Sequence, residues 1–144
     1  MHGSGVLTRT EKGPRVEIQP MAAEAVGATA LCAVALIHFI DFFSKWHETR
    51  YIAVLYLLLI AGSLAAAALL LVGNRRAGWL LGGTLATLTL TGYIISREWG
   101  LPRAASDVGK WTESLGAASM FIEGIVVVLS AVMIRIHRSA TGSR

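Results

Sequence analysis

A single cysteine, Cys32, stands in 144 residues. One cysteine excludes an intramolecular disulfide and any multi-cysteine metal cage. Inside an apolar run it reads as a small core residue. Charge is also scarce: 15% of residues are charged against 54% hydrophobic, with a mean hydropathy of +0.60. That balance is too apolar for a soluble domain of this length, so the basic sequence pI near 9.7 does not point to nucleic acid. There is no glycine-rich phosphate loop, no Ser/His/Asp order and no internal repeat. With no catalytic constellation in view, the chain reads as more plausibly a non-enzyme than an enzyme.

What is present is apolar sequence in four blocks, near residues 21–43, 51–73, 77–97 and 115–135. Each is about as long as the ~20 residues a helix needs to cross hydrocarbon. The expected fold class is therefore all-α, an integral membrane four-helix bundle over residues 21–136. Residues 1–20 form a polar tail expected to be disordered, and 137–144 a short basic tail. The first block is longer than the ~7–15-residue core of a signal peptide and runs into His38, Phe39, Phe42 and Phe43, so it is expected to stay as an anchor.

Of the 13 Lys and Arg residues, eight fall in the two tails and the 2–3 turn and five in the other two connections. The positive-inside rule then places both termini and Gly73–Arg76 in the cytoplasm, with anionic headgroups as natural partners of that face. Trp46, Tyr51, Trp99 and Trp111 are expected at the outer interface, and Trp79 marks the inner one. Gly78 with Gly82, Gly83 with Thr87, and Ala61 with Ala65 are small pairs four apart, the spacing that lets helices approach in lipid. The long connection EWGLPRAASDVGKWTES is expected to form an ordered outer lid. Gly100 and Pro102 stop the third helix, and Ser106 and Asp107 cap a short turn.

Ionisable groups in hydrocarbon need a partner or a wet cavity. His38 and Glu123 lie inside spans one and four, roughly 9 Å and 13 Å below the outer ends of their helices. Similar depth on different helices makes them candidates to share a proton, bind a cation or hold a small polar ligand. The competing reading is a buried pair that only joins helices. Asp41 lies on the face of His38. Tyr93, Ser96 and Arg97 form a polar ridge ending span three, and Gly116, Ser119 and Glu123 a stripe on span four. Arg97 either snorkels to the surface or reaches Glu123 or Asp41. A zinc or copper site from His38, His47, Glu48 and Glu123 is possible only if the first helix breaks near residues 44–46. Haem is disfavoured, because His137 lies at the opposite end from His38 and only Met120 remains as a second ligand. Threonines 84, 87, 89 and 91 are expected to bond back within their helix.

Together, HFID, WHETRYIAVLYLLL, GYIISREWGLP and WTESLGAASMFIEG resemble a group of small, four-span, uncharacterised integral membrane proteins of actinobacteria. The matching positions are His38, His47, Glu48, Tyr51, Ser96, Arg97, Gly100, Leu101, Pro102, Glu113, Leu115, Gly116, Ala118, Ser119 and Glu123. The resemblance implies a multi-pass protein of the bacterial plasma membrane and brings no activity with it. Thr112 and Ser114 replace a more apolar Leu and Pro beside Glu113, which implies a looser lid.

The leading expectation is a ligand-binding or accessory subunit acting through a polar outer-leaflet chamber. Its partners would be membrane lipid and other membrane subunits or a second copy of the chain, not nucleic acid. The alternative is a redox, metal or proton-handling membrane protein using His38 and Glu123. Transport ranks third, because four spans suffice only if protomers assemble.

Overall fold

The computed structural model describes residues 20–141. The polar segment 1–19, with Arg9, Lys12 and Arg15, and residues 142–144 lie outside the described residues. Four long helices follow one another: α1 (Pro20–Glu48), α2 (Arg50–Leu71), α3 (Arg75–Glu98) and α4 (Ser114–Thr141). A single 3-10 turn, Ala105–Asp107, interrupts the connection between α3 and α4.

Each helix stops for a local reason. α1 does not end with its apolar block at Phe43 but runs on through HFIDFFSKWHE to Glu48. Its last turn is supported by Ser44 Oγ donating to Glu48 at 3.0 Å and Lys45 Nζ donating to the same carboxylate at 2.8 Å. Only Thr49 separates α1 from α2, and its extended backbone (φ −149°, ψ 89°) reverses the chain. α2 ends at Gly73, whose φ of 88° is the left-handed conformation a helix terminus favours in glycine. Gly100 (φ 80°) ends α3 in the same way, its N–H donating to Ile95 O at 3.1 Å. α4 stays helical to Thr141, so the segment expected as a tail from residue 137 begins as helix.

The helices alternate in direction, α1 packing on α2 and α4, and α3 packing on α2 and α4. The bundle thus has a loop end, with Thr49 and the long connection, and a terminal end, with Gly73 and the two ends of the described chain. All four helices are long and apolar enough to cross a membrane, and only 28–33% of each span's most apolar stretch is buried inside the protein. Leu36, Leu58, Leu64, Leu88, Phe121 and Val128 face outward on all sides. So broad an apolar exterior needs hydrocarbon around it.

The core lies between the helices around Leu31, Val34, Ala66, Leu70, Trp79, Ala86 and Val126. Trp79, expected near the inner interface, turns into the bundle and is the largest fully buried side chain, 1% exposed. It fits because Gly27 on α1 has no side chain; a Cβ there would overlap the indole. Of the small pairs, Gly78 and Gly82 are buried at helix contacts, with Leu70 against the first and Leu31 and Ala66 against the second. Gly83 meets Ser130, whereas Ala61, Ala65 and Thr87 face outward and bring no helices together. Thr87, Thr89 and Thr91 do bond back, to Gly83, Leu85 and Thr87 carbonyls at 2.8–2.9 Å.

Cys32 is exposed on the outside of the bundle rather than packed in its core. It sits mid-span, so in a bilayer it faces acyl chains. Because the thiolate that adds to a maleimide does not form in hydrocarbon, Cys32 is expected to resist both permeant and charged maleimides in intact vesicles and to react once the protein is unfolded in dodecyl sulfate. Rapid labelling by the charged reagent in intact vesicles would contradict a span at this position.

Candidate functional site: a polar column under a tied lid

At the loop end the connection over residues 99–113 folds back onto the helix ends. Its anchor is Arg97, only 6% exposed near the end of α3. Nη1 donates to Asp107 O at 3.1 Å and lies 3.6 Å from the Asp107 carboxylate, and Nη2 pairs with Glu113. The guanidinium stacks on Tyr93, 4.7 Å from the ring centroid, and Tyr93 meets Trp111 edge-on. Lys45 of α1 reaches Asp107 at 3.3 Å. Tyr51 donates to Pro102 O at 2.8 Å, and Gly109 N–H to Arg97 O at 2.9 Å.

Arg97 therefore neither snorkels outward nor reaches Glu123 or Asp41: it clasps the lid. The lid is correspondingly tied to the helix ends. A hydrogen bond to a charged group contributes about 1.5–3 kcal/mol, and Arg97 makes several at a buried position. Arg97→Gln is expected to speed amide hydrogen exchange at Gly109 and its neighbours at least about tenfold while leaving mid-span α2 protected. Unchanged exchange in the lid would show that Arg97 does not hold it.

Beneath the lid a line of polar side chains enters the bundle. Asp41, half-buried on α1, accepts a hydrogen bond from Tyr56 of α2 at 3.1 Å. The Tyr56 ring meets His38 edge-on with centroids 4.8 Å apart. His38, 5% exposed, has Nδ1 at 2.9 Å from Val34 O, and its Nε2 faces Glu123 Oε1 of α4 at 3.6 Å. Glu123 is 1% exposed and accepts from Ser119 Oγ at 2.8 Å. The pairing expected from matched depth is thus present. Deeper in the bundle Leu31, Val34, Ala66 and Val126 pack together, with the fully buried Ser63 of α2 the next polar side chain on that helix after Tyr56.

The chemistry of the pair follows from its hydrogen bonds. A backbone carbonyl only accepts, so Nδ1 must carry the proton that it donates to Val34 O. Nε2 and Glu123 Oε1 face each other at 3.6 Å, beyond direct hydrogen-bond reach, and one proton on the two leaves no net charge: imidazolium with carboxylate, or imidazole with carboxylic acid. Two protons would leave a buried cation, and none a buried anion, each costly at this depth.

The remaining sequence candidates are placed elsewhere. Ser96 is buried one residue before Arg97 at the lid's base. His47, nine residues beyond His38 on an unbroken helix, is half a turn out of phase, exposed, and bonded to Phe43 O at 2.8 Å. Glu48 is exposed and engaged by Ser44 and Lys45. The metal set His38, His47, Glu48 and Glu123 is therefore not assembled, and no three His, Cys, Asp or Glu among the described residues are grouped to hold a metal. His137 lies at the terminal end, with Nδ1 2.7 Å from Met133 O.

Three participants escaped the sequence reading. Tyr56 was hidden among the leucines of span two, and Lys45 looked like one more interfacial cation. Glu24, four residues into the first span and 7% exposed, pairs with Arg75 at the terminal end. An acid that far into an apolar block was the available signal.

No family model, curated protein or solved structure matches the chain. Its function is therefore argued from the column itself.

Proposed function

We propose that this chain is a non-catalytic accessory protein of the bacterial plasma membrane that takes up and returns a proton at His38–Glu123. In this reading both termini lie in the cytoplasm and the loop end faces out. The resemblance to actinobacterial four-span proteins supports that setting. The observation that carries the proposal is the buried approach of Nε2 to Oε1 at 3.6 Å with Nδ1 already committed to Val34 O. Asp41 and Tyr56 lead from that pair toward the lid, and the Asp41–Tyr56 hydrogen bond makes the loop end the side on which exchange is favoured. That arrangement favours a coupling or sensing subunit over a proton channel.

The ligand-chamber form of the accessory reading needs room beside the dyad. The space next to His38 is taken by Tyr56, Glu123 and the α1 backbone, so the proton-handling form is preferred.

Proton uptake by the protein in lipid nanodiscs, titrated between about pH 5 and pH 9, tests the proposal. His38→Gln and Glu123→Gln are each expected to remove the same single uptake event, and the double variant no more than either. If the two substitutions remove separate, additive events, the groups do not share a proton and the proposal fails.

A further inference from the structure

Ser63 on α2 and Ser119 and Ser130 on α4 are buried within the spans. A serine hydroxyl has one proton to donate, and in a helix the nearest acceptor is a backbone carbonyl one turn back, the choice that Thr87, Thr89 and Thr91 make. The hydroxyls of Ser63 and Ser130 have no hydrogen-bond partner. Ser119 donates forward instead, to Glu123 Oε1 at 2.8 Å, and that is the same oxygen that faces His38 Nε2 at 3.6 Å. A single oxygen is thus approached from α4 by a hydroxyl and from α1 by an imidazole.

The geometry points to Ser119 as a positioning residue that biases the proton of this pair toward His38, an assignment that rests on the shared proton proposed above. A hydrogen bond to an ionised acceptor is about twice as strong as one to a neutral acceptor, so the hydroxyl stabilises the carboxylate more than the carboxylic acid. The imidazolium–carboxylate form is favoured. Among the described residues Ser119 is the one hydrogen-bond donor to Glu123. The groups around the pair do not oppose it. On α1, Asp41 stands one turn above His38, and a negative charge there draws the proton the same way. On α2, the Tyr56 ring meets His38 edge-on while its hydroxyl donates to Asp41. On α3, Tyr93 and Arg97 stack on each other, and Arg97 is paired with Asp107 and Glu113 of the lid. Without the Ser119 hydroxyl, the N–H bond at Nε2 gives way to an O–H bond on Glu123, and the two charges cancel.

Solid-state nitrogen NMR of His38 in the full chain, reconstituted into bilayers at about pH 7, reads how much of Nε2 carries a proton. Ser119→Ala is expected to lower the ratio of protonated to unprotonated Nε2 about tenfold, the factor that separates hydrogen bonds to charged and to neutral acceptors. Ser119→Thr, which keeps a hydroxyl on the same carbon, should hold the parent ratio. Ser130→Ala, which removes a buried hydroxyl two turns further along α4 beside Gly83, should also leave it in place. A ratio unmoved by Ser119→Ala would overturn the assignment, as would one that Ser119→Thr or Ser130→Ala lowers equally, or a parent Nε2 that carries no proton. Glu123→Gln separates the two failures. If Nε2 responds to Glu123→Gln and not to Ser119→Ala, only the role of Ser119 falls; if it responds to neither, the shared proton falls with it.

Discussion

Glu123→Ala is expected to destabilise the bundle by about 3–5 kcal/mol, the range for removing one partner of a buried pair. The loss is not mainly that of an attraction across 3.6 Å. It is the cost of leaving the His38 imidazole in a dry bundle with nothing opposite Nε2, while Ser119 loses its acceptor as well. His38→Ala should cost about as much for the mirror reason, since it strands Glu123 with only Ser119. The double variant His38→Leu/Glu123→Leu removes both polar groups, and apolar residues of similar volume often replace a buried pair at little cost. It is therefore expected to lie close to the parent, far from the sum of the single losses. Unfolding in mixed micelles, read as a double-mutant cycle, measures the coupling directly. Single losses below about 1 kcal/mol that simply add would show the two groups to be independent.

Trp79→Ala should be the most damaging change outside that pair, at about 3–5 kcal/mol. Lipid is as apolar as the core, so the ring gains little from leaving the acyl phase. What it provides is contact: from α3 it reaches across the bundle to fill the space over Gly27 of α1, and a small residue leaves a void that the helices cannot close. Trp99→Ala is the control, because Trp99 is 74% exposed and should change stability by no more than about 0.5 kcal/mol. Gly27→Ala approaches the same contact from the other side. Its methyl would enter the indole's space, and overpacking of that kind costs about 1–3 kcal/mol. If Trp79→Ala and Trp99→Ala were equally mild, the Trp79 ring would not be filling the space over Gly27.

That contrast shows where sequence was informative. The four spans were readable because their signal is length times apolarity, which needs no knowledge of neighbours. His38 and Glu123 were readable as a pair because the membrane supplies a ruler: helical rise converts position into depth. Rotation about each helix axis was not readable. A span surrounded by lipid is apolar on every face, so nothing in the sequence says which side turns inward. Cys32, Ala61 and Ala65 were accordingly expected at contacts and lie outside. Trp79 was readable by depth but not by direction: Gly27 on another helix makes the place into which its ring turns.

The end of α1 was misplaced for a different reason. Hydropathy falls at Ser44, but a helix persists while its backbone bonds and side-chain pairs persist, and Lys45–Glu48 provides one. Arg97 was the least legible residue. Its partners Asp107 and Glu113 come from the connection that folds back over it, and no periodicity encodes that return.

The central claim, one proton held between His38 and Glu123, is tested most directly by solid-state nitrogen NMR of His38 in protein reconstituted into bilayers. Nδ1 is expected to be protonated throughout, held by Val34 O. Nε2 should show contact with the Glu123 carboxyl carbon, and Glu123→Gln should shift the Nε2 resonance while leaving Nδ1 in place. An unprotonated Nδ1, or an Nε2 resonance indifferent to Glu123→Gln, would contradict the account.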